Sequence, residues 1–284
     1  MKKENSKPSR GKSDGRNKKP APKADFSSRP KKQREEKEES SDSIEGMRLN
    51  KYIAHCGVCS RRQAADMVKA GEVTVNGQEM REPFYQMKLS DVVTVKGKVV
   101  KPEGRKVYIL MNKPKNVITT AKDERGRKTV MDLLAGKVHE RVFPVGRLDR
   151  DTTGLLLLTN DGDLAEKLTH PSHGVKKIYH VQLERSMPHA DLEKIRKGVE
   201  LEDGIAVVDG IDYVEGTKHT ELGVEIHIGK NRIVRRIFEH LGYTVERLDR
   251  VYLGGLTKKD LPRGFFRKLT DREVIMLKHF TGKK

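Results

Sequence analysis

The chain has 284 residues, with 59 Lys and Arg against 41 Asp and Glu, a formal charge of +18 and a pI near 9.8. Such a balance points to a polyanionic partner, because each cation that neutralises a phosphate releases a counterion. With 5% aromatic residues and no Trp, it excludes a surface built on many stacking platforms.

The two cysteines exclude a disulfide-stapled secreted fold. No apolar run approaches the roughly 18 residues of a membrane helix, and no apolar core of a signal peptide stands at the amino terminus. The expectation is a cytoplasmic protein of a reducing compartment. Residues 1–46 carry 14 basic and 9 acidic side chains and almost nothing apolar. Such a segment cannot offset its ordering entropy, so a disordered tail is expected, basic to Lys32 and acidic around EEKEESSD. It is either a solvated linker or an electrostatic arm that raises polyanion affinity without specificity.

Order begins at Met47. Leu49, Tyr52, Ile53 and Cys56 fall at helical spacing. Ser60-Arg61-Arg62-Gln63 has the form of a capping box, with a hydroxyl at the cap and an amide three residues on. Ala64, Met67 and Val68 continue this second helix, and Gly71 is placed to stop it. EVTVNGQ alternates and then turns at Asn76-Gly77, where a tight hairpin needs positive φ. DVVTVKGKVV is read as a further extended stretch that closes a small α+β module over 47–106.

Residues 107–284 are read as one larger α+β domain. VYILMNKP and GLLLLTND are buried strands, GDLAEKLTH a short amphipathic helix, and KIYHVQL an alternating strand. VEIHIGKNR leads into the helical pattern IVRRIFEHLG, which ends at Gly242. RVYLGGL and DREVIMLKHF complete the chain.

The C-x-x-C pair Cys56/Cys59 raises zinc or redox chemistry. No second pair completes a tetrahedral site, although His55 lies next door, and the βαβ setting of a redox motif is missing. Packing and turn roles are expected, with no metal.

MRLNKYIAHCGVCSRRQAADMVKAGEVTVNGQ resembles the RNA-binding module named after ribosomal small-subunit protein four. The likeness covers about 60 residues, through the opening Arg-Leu, the Ser-Arg-Arg and the GxVxVNG. The turn at Ser60 to Arg62 presents helix N-terminal N–H groups and two guanidinium forks, which suit phosphate. Arg48, Lys51, Ser60, Arg61, Arg62, Lys69 and Asn76 are the candidate RNA contacts of this module.

FPVGRLDRDTTGLLLLTNDG carries the candidate chemistry. Gly146 allows a tight backbone course before two charged side chains. Arg147 and Asp149, two apart, share a side on an extended backbone, at the mouth of a buried strand. On spacing alone Asp149 competes with Asp151, and a structural Arg147–Asp149 pair is an equal reading.

This stretch resembles the signature of the RsuA/RluB group of ribosomal RNA pseudouridine synthases. ILMNKPKNVITT upstream, and KKIYHVQL and GKNRIVRRIFEHLGYTVERLDRV downstream, resemble that group's other motifs in order, from residue 47 to about 262. The resemblance implies a mixed, mainly antiparallel sheet flanked by helices. It implies Asp149 as the catalytic carboxylate, Tyr179 as the active-site tyrosine and Arg235 as the arginine paired with the carboxylate, with Arg232 and Arg236 as competitors for that last role. Arg147, Lys230 and Arg232 would meet RNA beside the site. One departure stands out: many members have Gln where this chain has Ile233, which puts a local polar contact in doubt.

The implied reaction breaks the glycosidic C–N bond of a flipped uridine and re-forms it at carbon. It needs no cofactor, in keeping with a sequence that has no phosphate loop or dinucleotide fingerprint. KDERGRKTVMDLL, at 122–134, resembles the large-subunit branch, so 23S ribosomal RNA is the favoured partner and a monomer is expected. The alternatives are 16S ribosomal RNA, or a non-catalytic RNA-binding assembly factor that kept the fold.

Overall fold

The computed structural model describes residues 44–282, with side chains to 279. The tail expected over 1–46 therefore lies, up to residue 43, outside the described residues.

The first part of the chain holds α1 (Leu49–His55), α2 (Arg61–Lys69), β1 (Val73–Val75), β2 (Gln78–Glu79), β3 (Val93–Val95) and β4 (Lys98–Val99). The capping box forms as the sequence implies. Ser60 Oγ accepts from the Gln63 amide at 3.3 Å, and Gln63 Oε1 accepts from the Ser60 amide at 3.1 Å. Asn76 and Gly77 take φ of 53° and 81° and turn β1 into β2. The stretch DVVTVKGKVV is not one extended run. It turns at Lys96-Gly97, with φ of 48° and 77°, into a second hairpin. The four strands run in the order β2-β1-β3-β4, and Val73, Val75, Val93 and Val95 pack on Leu49, Ile53, Ala64 and Val68.

The second part holds β5 (Tyr108–Lys113), β6 (Phe143–Pro144), β7 (Thr153–Thr159), α3 (Gly162–Thr169), β8 (Lys177–Leu183), α4 (His189–Lys197), β9 (Val199–Leu201), β10 (Gly204–Ala206), β11 (Gly210–Tyr213), β12 (Glu221–Ile226), α5 (Ile233–His240), β13 (Val245–Leu253), β14 (Leu256–Thr257), β15 (Phe266–Lys268) and α6 (Asp271–Gly282). The main sheet runs β11-β12-β8-β13-β7-β5-β15, with β14 beside β13 and β6 beside β7. Its β7–β13 contact is parallel and its other pairings are antiparallel. The sheet is thus mixed and mainly antiparallel.

The run Leu155–Leu158 is continuous rather than alternating because β7 is covered on both faces. Leu156 and Leu158 join Ile109, Leu192, Ile237 and Phe238 on one side. Leu155 and Leu157 join Leu110, Leu164, Leu168 and Leu277 on the other. The two parts of the chain meet where β7 runs into α3. Lys51 Nζ lies 2.5 Å from Asp163 Oδ1, and Asn160 Nδ2 donates to Glu103 Oε2 at 3.0 Å. No described helix is long and apolar enough to cross a membrane.

The parallel contact has a steric condition. Gly154 sits at φ +104°, and a Cβ there would lie 2.3 Å from the Arg250 carbonyl oxygen and 2.5 Å from its nitrogen. Backbone cannot step aside as a side chain can. Gly154→Ala is therefore expected to cost about 3 kcal/mol or more, a fall in Tm of roughly 6–12 °C, whereas Gly223→Ala, which meets nothing within 4 Å, leaves packing intact. Thermal melts of the two variants check this, and an unchanged melt for Gly154→Ala would contradict it.

Candidate active site

A cavity of about 290 Å³ opens beside the parallel contact. Loop 146–152 forms one wall, the start of β8 and the middle of β13 the floor, and the segment entering α5 the other wall. Asp149, Tyr179, Arg147, Lys230 and Arg232 all line it.

The loop is held from behind. Gly146 opens it at φ 70°, and Thr119 Oγ1 donates to the Leu148 carbonyl at 2.9 Å. Lys113, at the end of β5, is fully buried. Its Nζ donates to the carbonyls of Thr152 at 2.8 Å, Pro114 at 3.1 Å and Arg150 at 3.4 Å. Burial pushes the Lys113 ammonium down to about 8, against the pull of Asp151 and Asp149. A lysine inside a buried strand was the signal for this anchor, and motif reading passed over it.

The carboxylates of Asp149 and Asp151 have different partners. Asp149 is one-third exposed, with Arg232 Nη1 3.7 Å from its Oδ2. Arg235, expected beside Asp149, lies instead with Asp151. Its Nη2 is 2.8 Å from Asp151 Oδ2, and its Nη1 donates to the Val245 carbonyl at 2.7 Å. The reason is geometric. Arg232 precedes α5 in the left-handed region, at φ 47°, and stands at its exposed end. Arg235 is one turn on, on the buried side with Ile233 and Val234, where it reaches the second acid of the loop. Arg236 is engaged elsewhere, with both its Nη atoms on Asp203 at 2.6 and 3.1 Å. Ile233 is buried and lines the cavity, so this departure adds apolar wall where a Gln would bring a polar amide.

Tyr179 is 8% exposed. It stands on β8 opposite Arg250 of β13. Arg250 and Lys177 also line the cavity, and the sequence analysis named neither as a candidate. Lys177 Nζ donates to the His227 carbonyl at 2.7 Å. Burial, and then the like charge of Arg250, push it down to about 8, with Asp209 opposing.

In the small module, Arg61 and Arg62 are exposed beside the Ser60 cap, and Lys69 is exposed at the other end of α2. Arg48 is exposed too and lies over the Phe84 ring, 5.2 Å from its centre. Three expected RNA contacts have structural partners, Ser60 through its capping box with Gln63. Lys51 pairs with Asp163. The Asn76 side chain donates to Asp91 and accepts from the Val92 amide, both at 2.9 Å, tying one hairpin to the other. Burial pushes the Cys56 thiol up to about 12 and raises that of Cys59, which disfavours the thiolate a metal or redox step needs. Among the described residues, no group of three His, Cys, Asp or Glu is placed to hold a metal ion.

A loop acid in a half-apolar cavity, cations at its rim and an exposed arginine pair on a separate module together describe an enzyme that acts on a nucleic acid. Comparison with known proteins agrees. Residues 107–240 match the RNA pseudouridylate synthase family and residues 47–93 match the S4 domain. The chain is 41% identical to ribosomal large subunit pseudouridine synthase B of Bacillus subtilis, over 81% of this chain and 95% of that one. It is 40% identical to an uncharacterised RNA pseudouridine synthase of Aquifex aeolicus, over 84% and 96%. A solved structure titled as a pseudouridylate synthase superposes with a TM-score of 0.59 at 26% identity, covering 81% of this chain and 99% of that one. The chain belongs to the RNA pseudouridine synthase family, isomerases that convert uridine in RNA to pseudouridine.

The Lys113 anchor makes its own prediction. Lys113→Met takes this donor from the Thr152 and Pro114 carbonyls, while that of Arg150 keeps the Asn116 amide at 2.8 Å; it also removes a buried ammonium, and these effects oppose each other. Stability should change by no more than about 1 kcal/mol, while the loosened loop lowers turnover by roughly 10- to 100-fold. Paired melting and single-turnover measurements test this; full activity would show that the loop does not depend on Lys113.

Proposed function

We propose that this protein isomerises one uridine of ribosomal RNA, in 23S RNA of the large subunit, in the cytoplasm and as a monomer without a cofactor. The observation that carries this reading is that Asp149 and Tyr179 face one cavity of nucleoside size. The choice of large-subunit RNA draws on the name of the Bacillus subtilis relative and on the character of the 122–134 stretch. In this reading residues 47–106 grip RNA, residues 107–284 perform the chemistry, and residues 1–46 are a charged tail.

The target nucleotide leaves its stack and enters the cavity. Arg147, Lys230 and Arg232 at the rim meet phosphates. Asp149 either attacks the anomeric carbon or removes the neighbouring sugar proton, and its negative charge stabilises the positive charge that develops on the sugar. Arg232 is the cation nearest to it, while Arg235 with Asp151 secures the loop to α5. Tyr179 packs its ring on the uracil, and its hydroxyl serves the closing proton transfer.

Asp149→Asn should reduce single-turnover conversion of a 23S RNA fragment to background while its Kd stays within about threefold. Carbodiimide-labelled primer extension on both ribosomal RNAs of a deletion strain identifies the position. Retained turnover in Asp149→Asn would refute the assignment, and an unchanged modification pattern would favour a binding protein. Arg61→Ala and Arg62→Ala should each weaken binding across RNA sequences and reduce the slope of log K against log salt by about 1. A slope equal to that of the parent protein would remove these side chains from the interface.

A further inference from the structure

Arg250 is the odd residue of the main sheet. It sits in the middle of β13, between Gly154 of β7 and Tyr179 of β8, and is 4% exposed. A charge buried there needs either an opposite charge or a full set of acceptors. Nε donates to the Leu155 carbonyl at 2.7 Å, but Nη2 is buried without a partner. Among the described residues, Arg250 forms no ion pair with a carboxylate. Its charged neighbour is a second cation, Lys177, the other basic side chain of the cavity floor. Lys177 makes no ion pair among the described residues either. Two like charges stand close together on a floor flanked by Leu248, Leu253, Ile226 and Ile228, with Asp149 on the loop wall as the carboxylate of the cavity lining.

An anion brought into the floor would relieve both the repulsion and the empty donor. RNA phosphates carry their charge at all times and have the exposed rim cations to meet them. The charge that arises only inside the cavity is that of the departing base. We propose that Arg250 and Lys177 form a leaving-group site that takes up the negative charge on uracil when its glycosidic bond breaks. This rests on the cavity being the uridine site.

The balance is simple. The C1′–N1 bond breaks with its electron pair going to N1, and the charge spreads to O2 and O4. The sugar is left either bonded to the Asp149 carboxylate or as a glycal after loss of its C2′ proton to that carboxylate. A half-turn of the ring about the N3···C6 axis exchanges N1 with C5 and O2 with O4. A donor that met one oxygen before the turn meets the other after it. C5 then bonds to C1′ as the C1′–O bond to Asp149 breaks or, on the glycal route, as Asp149 returns the proton to C2′; the C5 proton leaves, and N1 gains one. Lys177, whose ammonium keeps two N–H bonds beyond the one on the His227 carbonyl, and the unpartnered Nη2 of Arg250 suit an anion that must be held and still turn. Asp149, on the loop wall, is left to the sugar.

The test varies the leaving group. Fluorine at C5 makes the uracil anion more stable, so its departure depends less on outside charge. Arg250→Gln and Lys177→Met are measured in single turnover on one RNA fragment carrying either uridine or 5-fluorouridine at the target. The readout is loss of the starting nucleoside by digestion and mass spectrometry. Removal of a donor to developing charge typically costs about 10²- to 10³-fold. Both variants should lose about that much on uridine and at least tenfold less on 5-fluorouridine, with RNA Kd within about threefold. Equal losses on the two substrates would make Arg250 and Lys177 packing residues, and no loss would remove them from the reaction; either result overturns the proposal. Lys177→Met leaves the Arg250–Leu155 bond in place, so it decides the matter if Arg250→Gln misfolds. Asp149→Asn on the same two RNAs separates the premises. If it turned over like the parent protein, the location of the uridine site would be wrong rather than the leaving-group role.

Discussion

The parallel contact between β7 and β13 is the constraint on which the rest of the molecule depends. It brings a loop, a strand and a helix entrance from distant parts of the sequence around one cavity. It exists only because residue 154 has no side chain, since a Cβ would occupy the position of the Arg250 backbone. With the strands in register there, loop 146–152 leaves the sheet beside β13, and β8 on the far side of β13 brings Lys177 and Tyr179 to the same opening. The glycine of the DTTG stretch therefore serves assembly of the site, and the aspartate five residues earlier is the one to which its chemistry is proposed to fall.

Charge is arranged around that junction in layers. Behind the loop, Lys113 gathers three carbonyls that no strand or helix satisfies. In front, Arg232 and Arg235 are one helical turn apart and face alternate acids, Asp149 and Asp151. The spacing of two between the acids and of three between the arginines is what lets one loop meet one helix through two separate pairs. Only the outer pair is loose, at 3.7 Å and partly exposed, so the carboxylate assigned to chemistry is the one less fully engaged by the protein. The inner pair, with its guanidinium 5% exposed, fixes the loop against α5. A family likeness alone names one arginine for one acid and does not reveal this division.

Much of the fold was legible because local chemistry and tertiary role coincide. The capping box at Ser60, the Asn76-Gly77 turn, the alternation of KIYHVQL and the four leucines of β7 each have one favourable local outcome. Lys96-Gly97 was missed as a turn because Lys is an unusual residue at positive φ. The strands β9 to β11 were missed because VELEDGIAVVDGIDY has strands of three or four residues, too short to show a period, and α4 was passed over because only Leu192 and Ile195 mark its buried face. The ionic partners were the least legible part. Lys51 has the composition of an RNA contact and the position of a strut, and only the approach of α3 to α1 distinguishes them. Arg250 and Lys177 look like ordinary charges of half-buried strands, and their placement on one cavity floor follows from the register of β8 against β13.

The basic character of the chain thus falls into two kinds that differ in accessibility. Arg61, Arg62 and Lys69 on the small module, and Arg147 and Arg232 at the cavity rim, are open to solvent. They can exchange counterions for phosphates at little cost in dehydration, which suits affinity and encounter rather than choice of base. Lys113, Lys177 and Arg250 are wholly or largely withdrawn from water, where a charge acts more strongly but is costly to hold. The chain bears that cost around this junction, and Gly154 is the residue that permits it. The strut between Lys51 and Asp163 joins α1 of the small module to the first turn of α3, the helix that follows β7 from this junction. The accessible cations are thereby mounted on the same framework as the withdrawn ones. On the proposed function, an RNA held by the module would be presented to the cavity at a distance set by the fold, and selection of one uridine would depend on where the backbone is gripped as well as on the base that enters.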